Sequence, residues 1–390
     1  MSLADCPLGT RSAPVPVFRF EAMPVLCNQL WPDRETARAA PVGDLDLAFC
    51  PETGLIWNRA FDPALMQYTE GYENALHFSP RFRDFADALA RRLIDTYTLS
   101  GAEVVEIGCG DGHFLGMLLE RGVGRGRGYD PSMSEQDARA ASRPGLDIVT
   151  TYFGPDTLGD AGDFKAVICR HVLEHIDSPI AFMSEIRRAI GTRDVVVYLE
   201  VPNASWMLQE ASIWDVIYEH VTYWTPPAME TLLRRSGFKP VSISSGFGDQ
   251  FLMVEAQPAE PEPDWLPDDL SAVEAGARRL GAVAEDTLTT WRARLDEAKG
   301  PVVLWGTGSK GITFINCIGA PGDVITGCID LNTRKHGSFV PGAGVEVHAP
   351  EGLAALDPEL VLIANANYRD EIADTVHALG LSPAFETIAG

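Results

Sequence analysis

Val104-Val105-Glu106-Ile107-Gly108-Cys109-Gly110-Asp111-Gly112 is the stretch on which the fold turns. β-Branched residues around one acid predict a short buried strand. Three glycines at alternate positions then lead into a helix carrying Phe114, Leu115, Leu118 and Leu119. Glycines suit this place because the backbone must turn sharply and let a ligand approach without Cβ atoms in the way. Asp130 stands 24 residues after Glu106, at the end of a second apolar run, where an acid takes the hydroxyls of a ribose. A Rossmann-like α/β domain is the fold these features predict.

The flanking chain agrees. Phe82, Phe85, Leu89 and Leu93 recur at helical spacing over 80–97 and predict a helix packed on the sheet. Strands are expected at 147–151, 164–169 and 194–201, the last apolar on both faces as in a central parallel strand. An antiparallel pair at 238–245 and 251–256 closes the domain. Residues 258–267, rich in proline and acid, read as a linker, and 268–298 as helical. At 302 a second strand, glycine loop and helix begin, with Gly306, Gly308 and Gly311 in the G-x-G-x-x-G spacing and Asp330 after the next strand. No dehydrogenase-type substrate domain follows, so a nucleotide or diphosphate of the substrate on this helix N-terminus is expected in place of NAD. The divisions are a small domain at 1–75, the main domain at 76–257, a linker and helical segment at 258–299, and a second Rossmann-like domain at 300–390.

The 390 residues suffice for several cores. The net charge of −24 argues against nucleic acid and anionic membranes, since both require a basic face. No run approaches the ~20 apolar residues of a membrane span, and no signal-peptide pattern opens the chain. Seven scattered cysteines fit a reduced, cytoplasmic setting. Cys6 and Cys50 each resemble half of a zinc knuckle. With Cys27 they supply three ligands at spacings that form no site, so no metal is expected in the small domain.

Two clusters carry candidate chemistry. His171-Val172-Leu173-Glu174-His175 has the H-x-x-E-H form of a helical zinc motif. It directly follows a strand of the main domain, so no metal is expected there; the histidines are expected to face cofactor and substrate, His175 foremost. Ile217-Tyr218-Glu219-His220-Val221-Thr222-Tyr223-Trp224 is dense in groups that are costly to bury without purpose. A histidine beside a glutamate is a plausible base with an orienting partner. Tyr68 or Tyr72 is expected to close over a bound substrate.

The whole pattern resembles the S-adenosylmethionine (SAM)-dependent sugar C-methyltransferases. These have an N-terminal zinc-binding domain, a class I SAM domain and a C-terminal Rossmann-like domain. The likeness rests on 106–112, 171–176, Tyr218-Glu219-His220 through Tyr223, 305–316, Asp330-Leu331-Asn332 with Lys335, and Asn367-Tyr368 with Glu371. Two departures stand out: most zinc cysteines are missing, and the base motif lacks the histidine the family has between its Tyr and Glu. The resemblance implies SAM as cofactor, with Glu106 on its amino group, Gly108 and Gly110 along the methionine portion, Asp130 on the ribose and His171 nearby. It implies His220 as base, Glu219 orienting it, and His175, Tyr218 and Tyr72 as further catalytic groups. Gly306, Lys310, Asn332 and Tyr223 would hold a nucleotide-linked keto sugar. Two alternatives remain: O- or N-methylation of another small molecule, and a noncatalytic SAM- or nucleotide-binding module.

Overall fold

A computed structural model describes residues 5–66, 75–158, 162–318 and 324–388. The described residues form three sheets. The central one has seven strands in the order Phe238–Gly246, Phe251–Pro258, Val196–Pro202, Ala166–Arg170, Glu103–Ile107, Arg125–Tyr129, Leu146–Val149. Six run in one direction, while Phe251–Pro258 lies antiparallel to both of its neighbours. Strand order reverses between Glu103–Ile107 and Ala166–Arg170, whose carboxyl ends therefore border the crevice where such sheets take ligands.

Helix Pro80–Tyr97 covers one face of this sheet. Its start is set by Ser79, whose hydroxyl accepts from the Phe82 N–H, and by Pro80 in the first turn. Phe82, Leu89 and Leu93 are buried and Phe85 is partly so. On the sheet's other face, helices Pro179–Ile190 and Pro226–Arg235 bury Met183, Ile186, Leu232 and Leu233 in a second cluster.

The C-terminal sheet is wholly parallel, in the order Val347–His348, Ile325–Ile329, Val302–Trp305, Leu360–Ile363, Ala384–Thr387. Its reversal lies beside Val302–Trp305, which leads into the second glycine loop. Helix Ser309–Cys317 then sits so close to this loop that a Cβ on Gly311 would lie 2.0 Å from the Gly306 carbonyl oxygen.

The remaining sheet joins Val15–Pro24, Val42–Phe49 and Ile56–Asn58 with Thr222–Tyr223, so the main domain lends the N-terminal region a strand. Helix Ser271–Asp296 packs on Val15–Pro24 closely enough that a Cβ on Gly281 would lie 2.2 Å from the Val17 carbonyl oxygen. This segment after the proline-rich linker is thus part of the core. Cys6 and Cys50 share one core cluster, whereas Cys27 lies in another beside Met23 and Cys317. All seven cysteines are buried free thiols. No helix among the described residues is long and apolar enough to cross a membrane.

Gly311→Ala is expected to destabilise the protein by about 1–3 kcal/mol, as overpacking against rigid backbone does. Thermal unfolding of the variant checks this; an unchanged midpoint would contradict the close approach.

Candidate active site

The carboxyl edges of the two parallel sheets open onto one cavity of about 580 Å³, a size typical of small-molecule sites. Both glycine loops line it, as do Glu106, Asp130, Arg170, His171, Glu174, His175 and His220. Contacts between the domains hold the edges together. The side-chain amides of Gln250 and Asn365 exchange two hydrogen bonds, at 3.0 and 2.9 Å. Glu371 accepts from the Ser79 hydroxyl and the Arg81 N–H at the start of helix Pro80–Tyr97. The Trp214 indole N–H donates to the Ile388 carbonyl at 2.8 Å.

Glu106, next to last in its strand, is buried, and its Oε2 has no hydrogen-bond partner among the described residues. Burial pushes its carboxyl up to about 8, against the pull of Arg170. Gly108 follows with φ +69°, and a Cβ there would lie 2.2 Å from Val172 Cγ2. Gly110 is open to the cavity, and its N–H donates to Asp130 Oδ2 at 2.8 Å. Asp130 Oδ1 accepts from the N–H and hydroxyl of Ser132. An unpaired acid beside a bare glycine path, with a second acid fixed at the next strand end, fits an adenosyl amino acid carrying an ammonium and a ribose.

The second loop repeats this construction. Asp330 Oδ2 accepts from the N–H and hydroxyl of Thr307, at 2.9 and 2.6 Å, and Oδ1 from the Asn332 N–H. Gly306 and Asn332 line the cavity, and the Asn332 side chain caps the Arg334 N–H. Lys310 also lines it, but its ammonium is paired with Asp215 and lies 4.6 Å over the Trp206 ring.

Opposite Glu106, strand Ala166–Arg170 ends in a buried ion network. Arg170 grips Glu200 through Nε and an Nη at 2.9 and 2.8 Å. His171, with φ +55°, places Nε2 3.1 Å from Glu200 and Nδ1 3.6 Å from Glu174. Burial disfavours its charge, yet these two acids raise it to about 9. The next residues form a 3-10 turn, Leu173–His175, so His171 and His175 do not share the helical face the H-x-x-E-H spacing suggested.

His175 and His220 meet edge to face, ring centres 5.0 Å apart. Nitrogens of both and a carboxylate oxygen of Glu174 lie within 4.8 Å of one another. His175 Nδ1 donates to the Glu219 carbonyl at 2.9 Å. Burial and the neighbouring His175 push His220 down to about 3, leaving it a neutral imidazole.

Several expected roles need correction. The Glu219 carboxylate accepts from the Cys27 N–H, so the acid seen against the two imidazoles is Glu174. Tyr218 does not line the cavity. Its ring packs on Gly43 and Phe61, and its hydroxyl accepts from the Asp62 N–H at 2.8 Å. Tyr223 is likewise turned inward, its hydroxyl bonded to both the N–H and carbonyl of Ile217. The Nδ1–H of His175 is committed to the Glu219 carbonyl, so only Nε2 is left for the role expected of this residue at an oxyanion. Tyr68 and Tyr72 lie outside the described residues.

Arg170 and Glu200 also belong to the site though they are not singled out from the sequence, and Glu174 is noted there only within the H-x-x-E-H run. A signal was present for the first two. Arg170 ends an otherwise apolar strand, and Glu200 interrupts another, places where a charge is costly unless paired.

The comparisons bear on the same two domains. A methyltransferase domain matches residues 77–243, and a C-methyltransferase C-terminal domain matches 262–380. The tRNA U34 carboxymethyltransferase of Dichelobacter nodosus is 31% identical over 108 residues, 27% of this chain. The chain spans about a third, 35%, of that relative's length. Among solved structures, Burkholderia thailandensis 1,6-didemethyltoxoflavin-N1-methyltransferase is 18% identical, covering 46% of this chain and 82% of its own, with a TM-score of 0.35. Magnesium protoporphyrin IX methyltransferase from Synechocystis PCC 6803 is 18% identical, covering 49% and 88%, also with a TM-score of 0.35.

Glu106 is largely protonated below pH 8 and must ionise to face an ammonium, so binding gains strength as pH rises toward 8. At about pH 7, SAM binding is expected to release about one proton. Calorimetry in buffers of different ionisation heat measures this. Glu106→Gln should remove the release and weaken binding; a wild-type complex that releases no proton would contradict the assignment.

Proposed function

We propose that this chain, a SAM-dependent methyltransferase carrying a C-methyltransferase C-terminal domain, methylates a carbon beside a ketone in a nucleotide-linked sugar. One observation supports this reading most: a single cavity is walled by both glycine loops, with the neutral His220 on its surface.

Bound SAM supplies an electrophilic methyl group on a sulfonium. A carbon beside a ketone is a weak acid, so the protein's share is to remove its proton, align the carbanion and exclude water. His220 takes that proton on its imidazole. The Glu174 carboxylate, held below the usual carboxylate range by His171 and His175 despite its burial, balances the resulting charge. Glu106 receives the cofactor's ammonium, and Arg170, fixed by Glu200, sets the local field. The nucleotide diphosphate rests at the N-terminus of helix Ser309–Cys317, where Gly308 leaves open space before the first helical N–H groups. Lys310 reaches it only by loosening its pairing with Asp215.

His220→Asn should lower kcat by about 10²–10⁴-fold, the usual share of a general base, with SAM affinity kept within a few fold. A second readout isolates the proton step. With S-adenosylhomocysteine bound, the wild type should exchange the ketone's α-hydrogen for solvent deuterium, and the variant should not. Exchange at the wild-type rate in His220→Asn would remove His220 from this role.

A further inference from the structure

We infer that Glu174, His175 and His220 form a binding site for a divalent transition-metal cation, with its open coordination position facing the cavity. From the sequence no metal is expected in this loop, because the motif directly follows a strand of the main domain; in a helix its spacing would pair His171 with His175. The 3-10 turn selects a different trio. It turns His171 toward Glu200 and brings His220 in from a separate segment.

Four features make the trio a ligand set. One donor atom from each residue lies within 4.8 Å of the other two. A tetrahedral site with ~2.0–2.1 Å bonds sets donors ~3.3 Å apart, so the widest pair needs to draw in by only ~1.5 Å. Second, the orientation of His175 is that of a ligating imidazole. Its Nδ1–H donates to the Glu219 carbonyl, which accepts only, leaving the Nε2 lone pair for a metal. Third, Glu174 divides its oxygens. Oε1 lies 3.6 Å from His171, while Oε2 is buried without a hydrogen-bond partner among the described residues.

Fourth, the two segments are tied together. The Val221 N–H donates to the Glu174 carbonyl at 2.8 Å, and the Thr222 hydroxyl donates to the Leu173 carbonyl at 3.3 Å. The ligands therefore do not sit on independent arms. Two imidazoles and one carboxylate suit zinc or cobalt better than magnesium or calcium, which favour all-oxygen shells. All three residues line the cavity, so the remaining position is open to a small ligand.

Binding itself follows from the geometry alone. One consequence rests on the function proposed above: the cation occupies the imidazole lone pair that would receive the substrate's proton, so metal and proton transfer exclude each other.

The test is titration of the full-length chain with Co²⁺, read by its visible absorption, followed by displacement with Zn²⁺. One equivalent is expected, with the weak visible bands of nitrogen and oxygen ligands. Glu174→Gln and His175→Asn should each weaken binding by more than about 100-fold while S-adenosylhomocysteine still binds, which certifies the fold. No cobalt spectrum, one unchanged in both variants, or one dominated by thiolate charge transfer would overturn the site. Zinc should also inhibit methyl transfer reversibly, with activity restored by a chelator. Cobalt bound at this trio in a fully active enzyme would leave the site standing and remove His220 as base.

Discussion

Two parallel sheets share one opening, and that constraint shapes everything else about the site. A parallel sheet takes ligands where its strand order reverses, at the carboxyl ends. Here the two reversals face the same cavity, held in place by the paired amides of Gln250 and Asn365 and by Glu371 at the start of helix Pro80–Tyr97. Separated, each glycine loop would be half of a site. Joined, they wall one cavity, as the proposed meeting of a cofactor with a nucleotide-bearing substrate requires.

Charge is distributed unevenly around that cavity. On one side the buried Glu106 has an oxygen with no protein partner. On the other, Arg170 is hydrogen-bonded to Glu200, and the His171 ring lies within ion-pair distance of the same carboxylate. A buried charge is tolerated only when paired, so the first side suits a cation supplied by a ligand. The second provides a fixed field behind the histidines. Glu174 links them, lying against His171 on one side and against the imidazoles of His175 and His220 on the other.

Much of this could be read from the sequence because it depends on periodicity and on backbone. The helix at 80–97, the strand positions, both glycine loops and the paired acids Asp130 and Asp330 all reflect patterns that local chemistry enforces. The direction of side chains in the segment 213–225 could not be read in this way. That stretch has no repeating period, and its rotamers are decided by distant partners: Cys27 for Glu219, Asp62 for Tyr218, the backbone of Ile217 for Tyr223. The same holds for the H-x-x-E-H run. Its spacing carries a helical meaning only in a helix, and the chain forms a 3-10 turn there. Thr222–Tyr223 joining the N-terminal sheet was equally hidden, since a two-residue strand has too little pattern to announce its partner.

Under the proposed function, this cavity joins a methyl donor to a carbon nucleophile on a nucleotide-linked sugar. The most direct measurement supplies SAM labelled with ¹³C in its methyl group to the purified protein, with a panel of nucleotide-linked keto sugars. Mass spectrometry finds the labelled product, and ¹³C NMR reads what the methyl is attached to. The expected product has the methyl bonded to carbon next to the carbonyl position. A methyl bonded to oxygen or nitrogen, or transfer only to acceptors without a nucleotide, would contradict it.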